Sequence, residues 1–267
     1  MAKIQARGVN REFQIRNTLG RKERLKVLEG FDLDINEGEF LSLLGPSGCG
    51  KSTFLSILAG LDKYDGGDIL VDGRQLQERS FSRGIVFQSY ALLPWRTVIK
   101  NLEVGLEIRH IPKHERRRTA RQYLELVGLA AFENQYPHQL SGGMKQRIAI
   151  ARVLAYQPDL LLMDEPFAAL DAQTRENLQI ELLRIWETDK KTIVFVTHSI
   201  DEAILMSDRV AFMSARPGHI KEIIEIDLPR PRTEDIRNSA EFAKIRKNLW
   251  GMLQDEVLKV QSYGGYL

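Results

Sequence analysis

Short apolar runs recur along this chain, and most of them end at a polar residue or a glycine. Four of these runs cover residues 40–44, 84–87, 160–163 and 192–196. Runs of about four to eight apolar residues are typical of strands that are buried on both faces of a parallel sheet. We therefore expect these runs to form core strands of an α/β fold, with a further strand over residues 209–214.

Helical spacing marks the segments between and after these runs. Apolar residues recur three and four positions apart over residues 54–59, 99–106, 115–127, 142–154, 172–188 and 240–259. Prolines and glycines separate the three middle segments from one another. The segment 172–188 stands between two predicted parallel strands, so we expect it to be their crossover helix.

The predicted elements divide the chain into three parts. An α/β core is expected over residues 1–88 and 155–230, and a helical subdomain over 89–154 interrupts it. About 60 residues suffice for a small subdomain. Residues 231–267 are expected to form a C-terminal helical tail, which follows a Pro-Arg-Pro-Arg linker.

The N-terminal part predicts an antiparallel edge to the mainly parallel core sheet. Residues 3–15 and 25–36 are interpreted as two edge strands, joined by a polar, basic loop at 17–24. A turn at 65–67 precedes a further short strand. A hairpin is expected over residues 217–228.

Composition is that of an ordinary soluble globular protein, with 43% hydrophobic and 28% charged residues. The net charge is +2, which does not indicate a nucleic acid or an anionic membrane as partner. No apolar run approaches the ~18–20 residues that span a bilayer. The single cysteine, Cys49, excludes an internal disulfide and fits a reducing compartment.

A glycine-rich segment directly follows the first core strand. It consists of Gly45, Pro46, Ser47, Gly48, Cys49, Gly50, Lys51, Ser52 and Thr53. It fits the phosphate-binding pattern G-x-x-x-x-G-K-[ST] between a strand and a helix, and this context disfavours an ordinary glycine turn. Glycines let successive N–H groups face phosphate oxygens, and the helix start adds partial positive charge. We expect Lys51 to reach the β- and γ-phosphates and the Ser52 hydroxyl to bind Mg²⁺.

Cys49 lies within this loop and close to Lys51. A neighbouring cation and exposed N–H groups favour the thiolate. We therefore expect alkylation of Cys49 to inactivate the protein and MgATP to protect it. The alternative is a small residue that only fills space in the loop.

Polar residues follow three of the predicted core strands. Asp164 and Glu165 end one strand, His198 follows another, and Gln88 closes a third. Ligands of open α/β folds bind at the carboxyl ends of such strands. We expect Asp164 to hold Mg²⁺, Glu165 to act as general base, His198 to contact the γ-phosphate and Gln88 to contact Mg²⁺-bound water. The alternatives are a helix cap for the acids, a solvated histidine and a strand-end polar cap.

A second glycine-containing helix start lies at residues 140–147, Leu-Ser-Gly-Gly-Met-Lys-Gln-Arg. Ser141 is a natural N-cap, and Gly142 and Gly143 leave backbone N–H groups exposed. These residues predict a second anion site, although one chain needs only one for a single ATP. A plain capped helix is the alternative.

The order of these motifs resembles the ATP-binding subunit of an ABC transporter. The matching residues are the phosphate loop, Gln88, the 140–147 segment, the Leu-Leu-Leu-Met-Asp-Glu run, Ala169-Leu170-Asp171 and His198, and the resemblance extends from about residue 3 to 227. It implies a P-loop ATPase of the ABC type, MgATP hydrolysis, and a head-to-tail pair of chains enclosing two ATPs. Ser141 and Gly143 would then contact the γ-phosphate bound by a partner ATPase subunit, identical or a close paralogue.

Further roles follow only from this resemblance. An aromatic that stacks on adenine is expected upstream of the loop, and Phe13 is the candidate, with strand packing as the alternative. Ala169-Leu170-Asp171 would connect the two ATP sites. Residues 88–95, ending at Trp95, would receive integral membrane permease subunits, which places the chain on the cytoplasmic face of the bacterial inner membrane.

Three further segments are most similar to importers of nitrate, sulfonate, taurine and bicarbonate. They are Leu93-Pro94-Trp95, the segment 214–218 and Pro229-Arg230-Pro231-Arg232. Among these cargoes, and cyanate, we favour nitrate, delivered by a separate substrate-binding protein. The rival is a soluble ABC-type ATPase acting on nucleic acid or ribosomes; a non-hydrolysing cassette would lack Glu165 or His198, and both are present.

Overall fold

The computed structural model describes residues 2–16, 20–76 and 80–262. The chain forms two compact units, one made of Met1–Ser80 with Asp189–Leu267 and the other of Phe81–Thr188. We call them the first and the second unit. The predicted boundaries at residues 88, 154 and 230 stay predictions.

An antiparallel sheet in the first unit has the strand order β2-β1-β4-β5. The strands are β1 (Ala2–Arg16), β2 (Lys22–Asn36), β4 (Gly66–Val71) and β5 (Arg74–Gln75). Strand β1 pairs with β2 on one side and with β4 on the other.

The expectation that residues 3–15 form an edge strand is therefore wrong. Ile4, Ala6 and Val9 are fully buried, as suits a strand that is covered by neighbours. The predicted basic loop at 17–24 is shorter than expected, because β2 already begins at Lys22. Residues 17–19 of that loop lie outside the described residues.

A mainly parallel set of strands forms the core of the first unit. It comprises β3 (Phe40–Leu44), β8 (Thr192–Val196), β9 (Arg209–Met213) and β10 (Ile220–Glu225). Strand β3 pairs in parallel with β8 and β9, and β10 runs antiparallel to β9. Every residue of β3 and β8 is buried, which explains why both strands are apolar except for Ser42 and Thr192.

Helices α1 (Lys51–Leu58), α6 (Ile200–Met206) and α7 (Ala240–Ser262) complete the first unit, with a 3-10 turn at Glu234–Asn238. Phe242 and Leu249, seven residues apart on α7, are 1% and 0% exposed in a cluster with residues of α6 and β9. Burial of such side chains stabilises by about 1.5–3 kcal/mol each. The helix α7 is thus packed on the core.

The expected linker at residues 229–232 is also part of this core. Arg232 is 3% exposed, and its guanidinium donates to the carbonyl oxygens of Ile204, Ser207 and Ile226 at 2.9, 2.6 and 2.9 Å. A buried charge that is satisfied by several carbonyls fixes the backbone around it. The prediction of a linker is therefore wrong.

The second unit contains two strands and four α-helices. Strands β6 (Arg83–Val86) and β7 (Leu160–Asp164) are parallel, with Val86 opposite Met163. The helices are α2 (Val98–Ile108), α3 (Lys113–Leu126), α4 (Gly142–Ala155) and α5 (Ala172–Thr188), with 3-10 turns at Ala130–Phe132 and Pro137–Gln139. The three predicted middle helices and the predicted helix over residues 172–188 are confirmed.

Candidate functional site

The phosphate loop joins the buried strand β3 to helix α1, as the motif requires. Gly48 and Gly50 have φ values of 74° and 105°, in a region that favours glycine. Gly50 is the N-cap of α1 and has no side chain that could occupy the first N–H groups of the helix. Ser47 and Ser52 are exposed at this loop. The loop therefore presents backbone N–H groups and hydroxyls where an anion would bind.

Lys51 is folded onto the loop in which it lies. Its Nζ donates to the carbonyl oxygens of Gly45 and Pro46, at 2.7 and 2.9 Å, and lies 3.7 Å from the Sγ of Cys49. The side chain is only 6% exposed. Two backbone carbonyls thus satisfy this buried ammonium.

The structure contradicts the expectation of a reactive Cys49. Its side chain is 0% exposed. Burial raises the pKa of the Cys49 thiol, and this effect outweighs the nearby Lys51, which lowers the pKa. A buried thiol with a raised pKa is a poor nucleophile. The sequence placed Cys49 next to a cation correctly, but it did not reveal the burial.

His198 lies at the same edge of the first unit as the phosphate loop. Strands β3 and β8 are parallel, with Leu43 opposite Val196, so the residues after both strands emerge at one end. His198 is exposed there. The next residue, Ser199, caps α6 by accepting from the N–H of Glu202 at 3.3 Å, and this cap fixes the backbone beside His198.

Phe13 lies on β1, partly exposed, and one face of its ring is covered. The guanidinium carbon of Arg11 lies 4.3 Å from the ring centroid. Arg11 is itself held by Asp62, at 2.6 Å, and by Asp65, at 3.4 Å. Only the other face of Phe13 remains for a base, unless Arg11 moves. Sequence analysis missed Arg11, although its spacing of two residues from Phe13 on a strand was a usable signal.

In the second unit, Gln88 and Glu165 come together. Gln88 follows β6, and Glu165 follows Asp164, the last residue of β7. Because β6 and β7 are parallel, Gln88 and Glu165 lie at the same edge of this strand pair. The Nε2 of Gln88 donates to the Glu165 carboxylate at 3.3 Å. Glu165 has a φ of 46°, an uncommon conformation for a residue with a side chain. Such local strain is typical of functional positions.

The second glycine-containing segment begins a helix, with Ser141 as the predicted cap, and the anion site expected there stays a prediction. Ser141 is the N-cap of α4, and its Oγ accepts from the N–H of Met144 at 3.3 Å. Ser141 is exposed, and Gly142 and Gly143 form the first turn. A Cβ added at Gly142 would meet the Tyr90 hydroxyl at 2.9 Å, so a larger residue would push that side chain away.

Asp171 lies directly before α5 and acts as a cap. Its Oδ1 accepts from the N–H of Thr174 at 2.9 Å. This backbone hydrogen bond, followed by one from the Thr174 side chain, lowers the pKa of the Asp171 carboxyl. The carboxylate is exposed.

Trp95 is the most exposed large apolar side chain among the described residues, at 72%. The loop that holds it is rigidly attached to α2 through Asn101, which is 0% exposed. The Asn101 side chain accepts from the N–H of Leu93 at 2.8 Å and donates to the carbonyls of Leu93, Arg96 and Thr97. An aromatic side chain on an ordered loop is a suitable anchor for a protein partner.

Sequence analysis also missed the contact of Arg216 with the phosphate loop. Its guanidinium lies against the carbonyl of Gly48, 168 residues earlier in the chain. In the sequence, residues 214–218 show only a resemblance to a group of importers. Nothing in their composition indicated which loop they would touch.

The described part of the chain contains neither a membrane-spanning helix nor a cluster of typical metal ligands. Within residues 2–16, 20–76 and 80–262, none of the helices has the length and apolar character needed to cross a bilayer. In the same residues, no group of three or more His, Cys, Asp or Glu side chains is arranged to hold a metal ion. Ser52 in the first unit, and Asp164 and Gln88 in the second, each carry an oxygen donor of the kind that Mg²⁺ prefers.

Known proteins resemble this chain in sequence. A sequence model described as ABC transporter matches residues 28–168. An uncharacterized ABC transporter ATP-binding protein of Methanocaldococcus jannaschii is 56% identical over 88% of this chain and 87% of that protein. An aliphatic sulfonates import ATP-binding protein of Bacillus cereus (strain ZK / E33L) is 45% identical over 91% of each. A nitrate import ATP-binding protein of Synechococcus elongatus is 47% identical over 86% of this chain and 36% of its own length.

A solved structure matches the fold. It is a dimeric ATP-binding cassette in a post-hydrolysis state, bound to ADP and Pi. The match has a TM-score of 0.76 and 33% sequence identity, and it covers 85% of this chain and 100% of that chain.

Proposed function

This chain belongs to the ABC transporter family of ATP-binding proteins and hydrolyses ATP, and from that premise we propose that it powers the import of a small anion through separate membrane subunits. The observation that carries the proposal is its 45–47% identity to proteins named as sulfonate and nitrate import ATP-binding proteins, over 86% of this chain or more. A permease-associated ATPase works peripherally at the cytoplasmic face of the inner membrane.

The phosphate loop is the proposed site for the β- and γ-phosphates of ATP. Lys51 would leave the carbonyls of Gly45 and Pro46 and turn to the phosphates, because two charged oxygens attract an ammonium more strongly than two carbonyls do. Ser52 and Asp164, with Gln88, would hold Mg²⁺, which when bound neutralises charge on the transferred phosphoryl group.

Glu165 is the proposed general base. Its carboxylate would accept a proton from the attacking water, and Gln88, which donates to it at 3.3 Å, would orient it. His198, exposed at the edge where the phosphate loop begins, would donate to the γ-phosphate. These roles agree with the positions of the residues at strand ends, where α/β folds bind ligands.

A second ATPase subunit would complete each site. The exposed Ser141 and the first turn of α4, with Gly142 and Gly143, would bind the γ-phosphate held by the partner. Asp171 would be part of the loop that links the two ATP sites of the dimer. The related cassette that was solved as a dimer with ADP and Pi supports pairing.

The work done on the permease would come from a difference in affinity. A ligand shifts a conformational equilibrium only by as much as it binds one state better than the other. ATP held by two subunits favours a closed pair, and hydrolysis removes the γ-phosphate that joins them. The loop that presents Trp95 would carry this movement to the membrane subunits.

We favour nitrate as cargo over a sulfonate, taurine, bicarbonate or cyanate. The ATPase does not contact the cargo, so uptake must be measured. Deletion of this chain in its source organism should abolish ATP-dependent uptake of isotopically labelled nitrate, and wild type but not Glu165→Gln should restore it. Loss of taurine or sulfonate uptake instead would change the cargo and keep the importer. Unchanged uptake of all these anions, with the protein purifying with nucleic acid rather than with a permease, would contradict the proposal.

A further inference from the structure

Arg216 lies on the loop after β9, and its exposed guanidinium contacts the phosphate loop. Its Nε and Nη2 both donate to the carbonyl oxygen of Gly48, at 3.1 and 2.9 Å. A Cβ added at Gly48 would lie 2.9 Å from the same Nη2 atom. The glycine therefore supplies both the φ of 74° and the room that the guanidinium occupies.

The Arg216 loop, residues 213–218, packs backbone against backbone on the phosphate loop. A Cβ at Gly218 would lie 1.9 Å from the carbonyl oxygen of Cys49, and one at Gly45 would lie 2.8 Å from that of Met213. The N–H of Gly218 also donates to the carbonyl of Val27 at 2.8 Å. Approaches this close leave little freedom for either loop.

Helix α7 holds the residue that precedes Arg216. The Oε2 of Glu256 accepts from the N–H of Ala215 at 2.7 Å. Its Oε1 accepts from Lys221 and Lys259, at 2.7 and 2.8 Å, and the side chain is 3% exposed. A buried carboxylate with charged donors on one oxygen and a backbone N–H on the other has a single preferred position.

We propose that Arg216 is a positioning residue for the phosphate loop and that α7, through Glu256 and Ala215, fixes Arg216. The loop then keeps its phosphate-binding conformation before nucleotide arrives, so less conformational freedom is lost on binding. The carbonyl of Gly48 shares a peptide unit with the N–H of Cys49, and a cation on that carbonyl polarises the N–H toward an anion. The C-terminal helix thereby influences nucleotide affinity from outside the site.

The test measures MgADP affinity and steady-state ATPase activity of the full chain. Arg216→Ala should raise the Kd for MgADP and the KM for ATP about tenfold, with kcat within about twofold, since ground-state and transition-state binding are lost together. Arg216→Lys, which lacks the two-pronged contact, should be intermediate. Arg246→Ala is the matched control, because Arg246 joins α7 to Asp201 of α6 and should leave Kd unchanged.

Each result supports or overturns the inference. Unchanged affinity in Arg216→Ala overturns it. An equal loss in Arg246→Ala overturns the route from α7 through Glu256, because Arg246 is joined to Asp201 and lies outside the contact of Glu256 with Ala215. If Arg216→Ala does not fold, wild-type affinity in Arg216→Lys overturns it. Glu256→Ala should weaken affinity less than Arg216→Ala, and the double variant should equal Arg216→Ala. If the losses of affinity in Glu256→Ala and Arg216→Ala add up in the double variant, α7 does not act through Arg216.

The inference rests on the proposed assignment of the phosphate loop as the nucleotide site. Lys51→Ala separates the two failures. If Lys51→Ala keeps wild-type MgADP affinity, the assignment itself fails. If Lys51→Ala loses affinity while Arg216→Ala keeps it, only the role of Arg216 is overturned.

Discussion

The side-chain amide of Gln88 donates to the carboxylate of Glu165 across 3.3 Å, although the two residues are 77 positions apart. Gln88 follows β6 and Glu165 follows β7, and the parallel pairing of these strands brings the two residues together. An amide that donates to a carboxylate also keeps an acceptor oxygen for a water molecule. The contact therefore suits a general base and a group that orients it.

The first prediction concerns the carboxylate of Glu165. Glu165→Gln should lower the rate of ATP hydrolysis about 10²–10³-fold, because an amide cannot accept the proton of the attacking water. ATP affinity should be retained, and a dimer should accumulate in MgATP. Size-exclusion chromatography with and without MgATP checks this. A Glu165→Gln variant that stays monomeric in MgATP would contradict the two-subunit site.

The ring of Phe13 leads to the second prediction. Phe13→Leu should weaken ATP binding about tenfold, since stacking of a base on an aromatic is worth about 1–3 kcal/mol. Phe13→Trp should preserve affinity. Phe13→Leu removes aromatic stacking and keeps an apolar side chain on β1. Equilibrium titration with ATP measures the affinity of each variant.

Arg11 supplies the control for Phe13. Arg11→Ala uncovers the ring face that the guanidinium occupies at 4.3 Å. If adenine stacks on the opposite face, ATP affinity should change by less than about threefold. Equal affinity in Phe13→Leu and wild type would show that Phe13 only packs within its sheet.

The third prediction replaces the expectation that Cys49 is easily alkylated. Because burial raises the pKa of this thiol, N-ethylmaleimide should modify Cys49 at pH 7.5 at least about tenfold more slowly in the folded protein than in urea. Mass spectrometry over time measures both rates. Equal rates would contradict the buried position. Cys49→Ser should keep ATPase activity, since the thiol has no assigned role.

Local sequence predicted the parts of this protein that depend on neighbouring residues. The fully buried strand β3, the left-handed glycines of the phosphate loop and the Ser141 cap act over a few positions, and all are confirmed. The predicted α/β fold of the ABC ATPase type is confirmed as well.

The features that sequence analysis missed depend on contacts between distant segments. The interior position of β1 is decided by pairing with β4, about 60 residues later. The burial of Cys49 and the contact of Arg216 with Gly48 both involve the loop after β9. One sequence contains no signal for such pairings, because the same residues would suit several partners.

The fourth prediction concerns the exposed Trp95. Trp95→Ala should weaken association with the membrane subunits at least about 30-fold, the effect of removing an interface anchor worth about 2 kcal/mol. ATPase activity of the isolated chain should stay within about twofold of wild type. Phe81→Ala is the control, since Phe81 is an exposed aromatic of the same unit, at 56%. Undiminished binding of Trp95→Ala to detergent-solubilised permease would exclude this loop as the contact.

The last prediction concerns the stability that Glu256 contributes. Burial alone raises the pKa of Glu256, but hydrogen bonds from Lys221, Lys259 and the N–H of Ala215 outweigh it and lower the pKa to about 2. In the unfolded chain the pKa of a glutamate is near 4.3. Between pH 2 and pH 4.3 the unfolded chain therefore binds more protons than the folded chain does. The stabilisation is therefore complete above pH ~5 and is lost as the pH falls toward 2.

Urea unfolding of Glu256→Gln at several pH values tests this direction of the pH dependence of stability. The variant should be less stable than wild type by about 2–3 kcal/mol at pH 7, the size of the pKa difference. The gap between the two proteins should narrow steadily as the pH is lowered from 5 toward 2. Glu241→Gln, on an exposed position of the same helix, should show no such convergence. A gap that stays constant with pH would mean that packing, and not the charge of Glu256, attaches α7 to the loop of Arg216.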